Sequence, residues 1–86
     1  MNANELKIIN TLCQNNQCGA ENKEELKADN MTWFGPIDIQ AMGFNKHQAS
    51  GYMSDLQTKG LIFDNGDGGE FDWYVTEKGI DASNLK

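Results

Sequence analysis

The chain has 86 residues, room for one domain with a small core, and its 13 Asp and Glu outweigh seven Lys and no Arg to leave a net charge of −6. That balance disfavours general attraction to phosphate or to an anionic membrane, while leaving room for a local basic patch. No apolar run approaches the roughly 18 residues of a membrane span and the N-terminus lacks a signal-peptide pattern, so a soluble, cytoplasmic chain with no membrane partner is expected.

In chain order, Asn2 or Asn4 can cap a first helix that runs to about Asn15, with Glu5 near its positive end. Leu6, Ile9, Leu12 and Cys13 share a face and form the expected inward stripe. Residues 14–30 are polar and rich in Asn and charge; they read as a loop or insertion, with at most a marginal helix over 21–28. Residues 31–34 are apolar and aromatic enough for a short strand. Gly35-Pro36 then opens a brief second helix, with Pro36 at the first helical position and Asp38 in the first turn. It should end near Met42, where Gly43 suits a left-handed turn.

A third helix over residues 45–59 is the clearest element. Asn45 is a good cap, and Ala49, Tyr52, Met53 and Leu56 fall at i, i+3, i+4 and i+7. Lys59 suits the negative end of the helix dipole, and Gly60 can close it. Residues 61–63 begin a strand, and Asn65-Gly66 with Gly68-Gly69 suit the turn of a hairpin. The return strand alternates, with Phe71, Trp73 and Val75 on one face and Asp72, Tyr74 and Thr76 on the other. Thr76 then caps a short C-terminal turn containing Glu77. The expected fold class is α+β, a single domain over residues 1–86.

Few residues suggest chemistry. Cys13 and Cys18 lack the further ligands of a zinc site, since His47 is the only histidine, and they read as free thiols of a reducing compartment. Asp64, Asp67, Glu70 and Asp72 are close in sequence, but Gly66 stands where a calcium loop needs a ligand. His47 has no sequence-adjacent nucleophile or orienting acid, and the glycine-rich hairpin lacks the Lys-Ser/Thr of a phosphate loop. Trp33 and Trp73 read as core-closing residues between the strands and the first helix, in preference to a base-stacking platform. No enzymatic activity, cofactor or metal is expected.

Gly43-Phe44-Asn45 through Leu56, followed by Lys59-Gly60-Leu61-Ile62, resembles the turn, recognition helix and exit of winged helix-turn-helix regulators. Val75-Thr76-Glu77-Lys78-Gly79 is similar to the segment that closes the wing in MarR-like members of that family. With the first helix, the resemblance covers about three quarters of the chain. It implies a winged helix with a three-helix core, a small antiparallel sheet and a β-hairpin wing. In such regulators the exposed side of the third helix enters the major groove and the wing touches the backbone or minor groove. Carried onto this chain, the contact face is Lys46, His47, Gln48, Ser50, Gly51 and Ser54, and the wing contacts are Asp64, Asp67, Glu70 and Asp72.

Charge divides the functional readings. Arginine, the usual bidentate reader of guanine, is absent, and four carboxylates on the wing would repel phosphates. The first reading is a small regulator that binds double-stranded DNA through the third helix, with a homodimer adding a second helix. The alternative is a protein-interaction or DNA-mimicking winged helix whose acidic wing docks on a basic protein surface. Fold resemblance and the small, polar helix face favour the first; electrostatics favours the second.

Overall fold

The computed structural model describes residues 1–66 and 72–86. Helix α1 (Ala3–Gln14) starts in a capping box. Asn2 Oδ1 accepts from the Glu5 amide at 2.8 Å, and Glu5 Oε1 accepts from the Asn2 amide at 3.1 Å. Its buried face is Glu5, Ile8, Ile9, Leu12 and Cys13. The expected stripe was therefore misphased at its start, because Leu6 is 38% exposed while Glu5 is 1% exposed. A carboxylate can take the inward position because Lys59 neutralises it there.

Residues 14–30 are more than an insertion with marginal helix. They include α2 (Lys23–Ala28), capped by Asn22, with Glu24 and Glu25 in its first turn and Lys27 in its last. One apolar anchor suffices, since Leu26 is completely buried. Two lysines fasten α2 to the C-terminal helix: Lys27 pairs with Asp81, and Lys23 Nζ donates to the Asp81 carbonyl at 2.8 Å.

The strand expected over residues 31–34 shrinks to a single bridge between Phe34 and Trp73. Side chains replace backbone pairing on its N-terminal side. Thr32 Oγ1 accepts from the Val75 amide at 2.9 Å, and Asn30 Nδ2 donates to the Val75 carbonyl at 2.7 Å. Helix α3 (Pro36–Gln40) has Pro36 at its first position and ends two residues before Met42. Gly43 follows at φ +103°, a left-handed turn that leads into α4.

Helix α4 (Lys46–Thr58) carries a second capping box, between Asn45 and Gln48, and buries Ala49, Met53 and Leu56. Tyr52 is only half-buried; its ring meets Phe44 edge-on with centroids 5.1 Å apart, and its hydroxyl accepts from Asn4 Nδ2. Gly60, at φ +75°, closes the helix and the chain turns into β1 (Ile62–Asp64), one residue later than expected. β1 pairs antiparallel with β2 (Trp73–Val75), Phe63 standing opposite Tyr74. The remaining hairpin residues, including Asp67, Glu70 and Phe71, lie outside the described residues.

Helix α5 (Glu77–Ala82) is capped by Thr76. Its Gly79 lies so close to the Leu61 backbone that a β-carbon would strike the Leu61 carbonyl oxygen. The architecture is thus α+β, with five helices and a two-stranded antiparallel sheet among the described residues. The expected three-helix core is too small, because α2 and α5 contribute Leu26 and Ile80, both fully buried. Among the described residues no helix is long and apolar enough to cross a membrane.

Candidate functional site

Helix α4 holds the whole expected contact face, and Lys46, His47, Gln48, Ser50, Gly51 and Ser54 are all exposed. The core stripe, Ala49, Met53 and Leu56, fixes that orientation by occupying the opposite side of the helix. Two rows result. Lys46, Ser50 and Ser54 face a groove of about 370 Å³, walled on the other side by Pro36, Gln40 and Trp73. His47 and Gly51 lie further round the helix, away from that groove. Gln48 is already committed in part, since its Oε1 accepts from the Asn45 amide at 2.9 Å.

The charges near α4 are unevenly spread. Residues 39–54 contain no Asp or Glu, so the exposed first half of the helix presents Lys46 and His47 without a carboxylate of its own. At the other end Lys59 Nζ donates to both Glu5 oxygens, at 3.0 and 2.9 Å, and lies 3.6 Å from Asp55. The Lys59 ammonium holds the Glu5 carboxyl below its usual range against the opposing effect of burial, and Glu5 in turn raises the Lys59 pKa. Lys78 Nζ donates to the Lys59 carbonyl at 2.9 Å, so Lys59 and Lys78 meet at the helix exit. Lys46 stands at the opposite end, roughly 20 Å away along the axis at ~1.5 Å per residue. The three lysines do not form one basic patch.

Of the wing carboxylates, Asp64 and Asp72 are described. Asp64 Oδ1 accepts from the Gly66 amide at 2.9 Å, which organises the start of the turn. Cys13 is buried, and burial raises its thiol pKa; Cys18 is exposed, and the two are free thiols. Among the described residues no group of three or more His, Cys, Asp or Glu is placed to hold a metal ion.

The tryptophans do not share a platform. Trp73 lines the α3–α4 groove, whereas Trp33 packs edge-on against Tyr74 with centroids 5.2 Å apart. Both are half-buried; Trp73 packs against the core, in keeping with the core-closing role expected of it, whereas Trp33 lies outside the core cluster and departs from that role. Tyr74 also meets Phe63, at 5.4 Å, and Phe63 is 48% exposed. Sequence reasoning missed this aromatic row. Its signal lay in the alternation of the strands, which puts Phe63 and Tyr74 outward and opposite one another. The Glu5–Lys59 pair was missed as well, although Glu5 sits in helical phase with Ile8, Ile9 and Leu12.

Compared with protein-family models, with curated proteins and with solved structures, the chain has no match.

Proposed function

We propose that the chain is a winged helix that binds double-stranded DNA through α4. The observation that carries this reading is the exposed outer face of α4 over residues 46–54. Lys46, His47, Ser50, Gly51 and Ser54 stand there on a stretch without carboxylates, in a chain otherwise dense in them. Small hydroxyl side chains suit hydrogen bonds to base edges, and Gly51 lets a groove approach the helix closely. Lys46, beside the positive end of the helix dipole, meets phosphate. The acidic hairpin stands off the duplex, so binding rests on α4 alone and is weak per monomer; a homodimer supplies a second helix. A fluorescence-anisotropy titration of a duplex pool at low salt tests it. Lys46→Glu should weaken binding at least about tenfold while Lys27→Glu, on α2, changes little, and the salt slope should correspond to only about one or two released counterions. Absence of binding to any duplex at low salt would refute the reading.

A second reading, a protein-interaction winged helix with an acidic wing, is favoured by the state of the lysines. Five of the seven have partners within the chain: Lys7 on the Met42 carbonyl, Lys23 and Lys27 on Asp81, Lys59 on Glu5, and Lys78 on the Lys59 carbonyl. Lys27 and Lys59 are neutralised by these carboxylates, and the other three, which keep their charge, are tethered to backbone carbonyls. Asp67→Lys with Glu70→Lys separates the two: nonspecific DNA binding strengthens if the wing approaches the duplex, whereas association with a basic partner is lost if the wing holds one.

A further inference from the structure

We propose that the outer face of the β1–β2 hairpin, where Trp33, Tyr74 and Phe63 form one aromatic row, docks an extended lysine- or arginine-rich segment of a partner protein. This rests on the second reading above and names its site and partner class. The three rings are in sequence on Tyr74: Trp33 edge-on at 5.2 Å and 61°, Phe63 tilted at 5.4 Å and 45°. The row is built by the fold. Cross-strand pairing sets Phe63 opposite Tyr74, and the Phe34–Trp73 bridge brings Trp33 alongside β2. Among the described residues no core contact explains Phe63, which is 48% exposed on a strand whose neighbour Ile62 is 2% exposed.

Charge decides what fits it. Residues 60–77 contain Asp64, Asp67, Glu70, Asp72 and Glu77 and no Lys or Arg. Of the flanking cations, Lys59 is neutralised by Glu5, and Lys78 keeps its charge but is held at the helix exit by the Lys59 carbonyl. Phosphates of a single-stranded nucleic acid would meet like charge here. So would a second copy of this chain, which brings the same acidic strands and a net charge of −6. A cationic side chain is attracted by both features, the negative faces of the rings and the net negative charge of the stretch that carries Phe63 and Tyr74. The chain already makes one such contact, Lys7 Nζ lying 5.4 Å from the Phe44 ring centroid, but among the described residues no lysine lies over Trp33, Tyr74 or Phe63. An extended segment suits a short, flat row of rings spaced along and across two strands, because alternate side chains can reach successive rings.

The test titrates the full chain at low salt against a labelled 12-residue Lys-Gly repeat peptide, with a Glu-Gly repeat as control. The Lys-Gly peptide should bind and the Glu-Gly peptide should not. Phe63→Ser should weaken binding about two- to fivefold, and adding Tyr74→Ser should bring the loss to about tenfold or more. Ile37→Ser removes a still more exposed apolar side chain, 60% exposed on α3, and should leave affinity unchanged. Because Phe63 is exposed, the single variant should keep its circular dichroism and melting transition, which protects the test from misfolding. Equal affinity of wild type and Phe63→Ser overturns the site. If that equality comes with loss on Asp67→Lys/Glu70→Lys, a basic partner binds by charge elsewhere, and the broader reading survives without this site. A failure of the Lys-Gly peptide to bind, or a wild-type dimer in sedimentation that Phe63→Ser dissociates, also overturns it.

Discussion

Changing Gly51 to Ala should stabilise the protein and, on the proposed reading of α4, weaken binding to DNA. Gly51 lies in the interior of α4 with ordinary helical φ, and a β-carbon built there meets nothing within 4 Å. Replacing an exposed helical glycine by alanine recovers ~1 kcal/mol of helix propensity. For a domain of this size that raises the melting temperature by about 4–8 °C. The same methyl group at Gly79 has the opposite effect. There the β-carbon would strike the Leu61 carbonyl oxygen and lie 2.5 Å from Val75 Cγ1, so α5 must move off the sheet. Overpacking of that kind costs about 1–3 kcal/mol, and more where backbone is the obstacle. A pair of thermal melts compares the signs, and a duplex titration of Gly51→Ala should show affinity reduced at least about threefold if the helix enters a groove at that position. A lower melting temperature for Gly51→Ala would mean its β-carbon does not face solvent. Higher stability with unchanged DNA affinity would remove Gly51 from the contact face.

Leu56→Ala should cost about 2–5 kcal/mol, since Leu56 is fully buried, while Ser54→Ala should stay within about 0.5 kcal/mol by denaturant titration. Equal losses would show the phase of α4 to be wrong. Leu26→Ala should cost about 2–3 kcal/mol, three buried carbons at ~0.8 each plus a small cavity, and a loss below ~0.5 would mean that α2 does not dock. Glu5→Gln should destabilise by roughly 1 kcal/mol, below the usual range for a charged hydrogen bond because Lys59 is partly in solvent. The Glu5 pKa is lowered by folding, so its contribution is complete above the ordinary value of 4.5 and disappears as pH falls through the lowered value; wild type and Glu5→Gln should therefore converge in stability in acid. Thiol labelling of the native protein should modify Cys18 quickly and Cys13 only after unfolding, as checked by peptide mass analysis.

The parts legible in the sequence are those fixed by local chemistry. Asn45, Pro36, Thr76, Gly43 and Gly60 each satisfy a cap, an initiation or a left-handed turn whose residue preference is strong. The stripe of α4 was legible for the same reason, with three of its four apolar positions fully in the core. What was not legible depended on partners distant in sequence. Leu26 is a lone leucine among charges, and it becomes an anchor only because α5 lies beside it. Glu5 reads as a surface carboxylate until Lys59, 54 residues on, is brought to it. The strand over residues 31–34 failed because the Thr32 and Asn30 side chains took the hydrogen bonds of Val75 that backbone pairing would have used. The proposed contact positions on α4 are exposed as expected, since exposure follows from helical phase. Its isolation from Lys59 and Lys78 follows from helix length and the pull of Glu5, which no local pattern reveals.

The most direct test of the α4 reading is an amide nitrogen–proton correlation spectrum of the full chain, titrated with a short duplex at low salt. Shifts should concentrate on Lys46, His47, Ser50, Gly51 and Ser54, with α2, α5 and the hairpin strands nearly still. Shifts confined to Phe63, Tyr74 and Trp33, or none at a tenfold excess of duplex, would contradict the α4 reading.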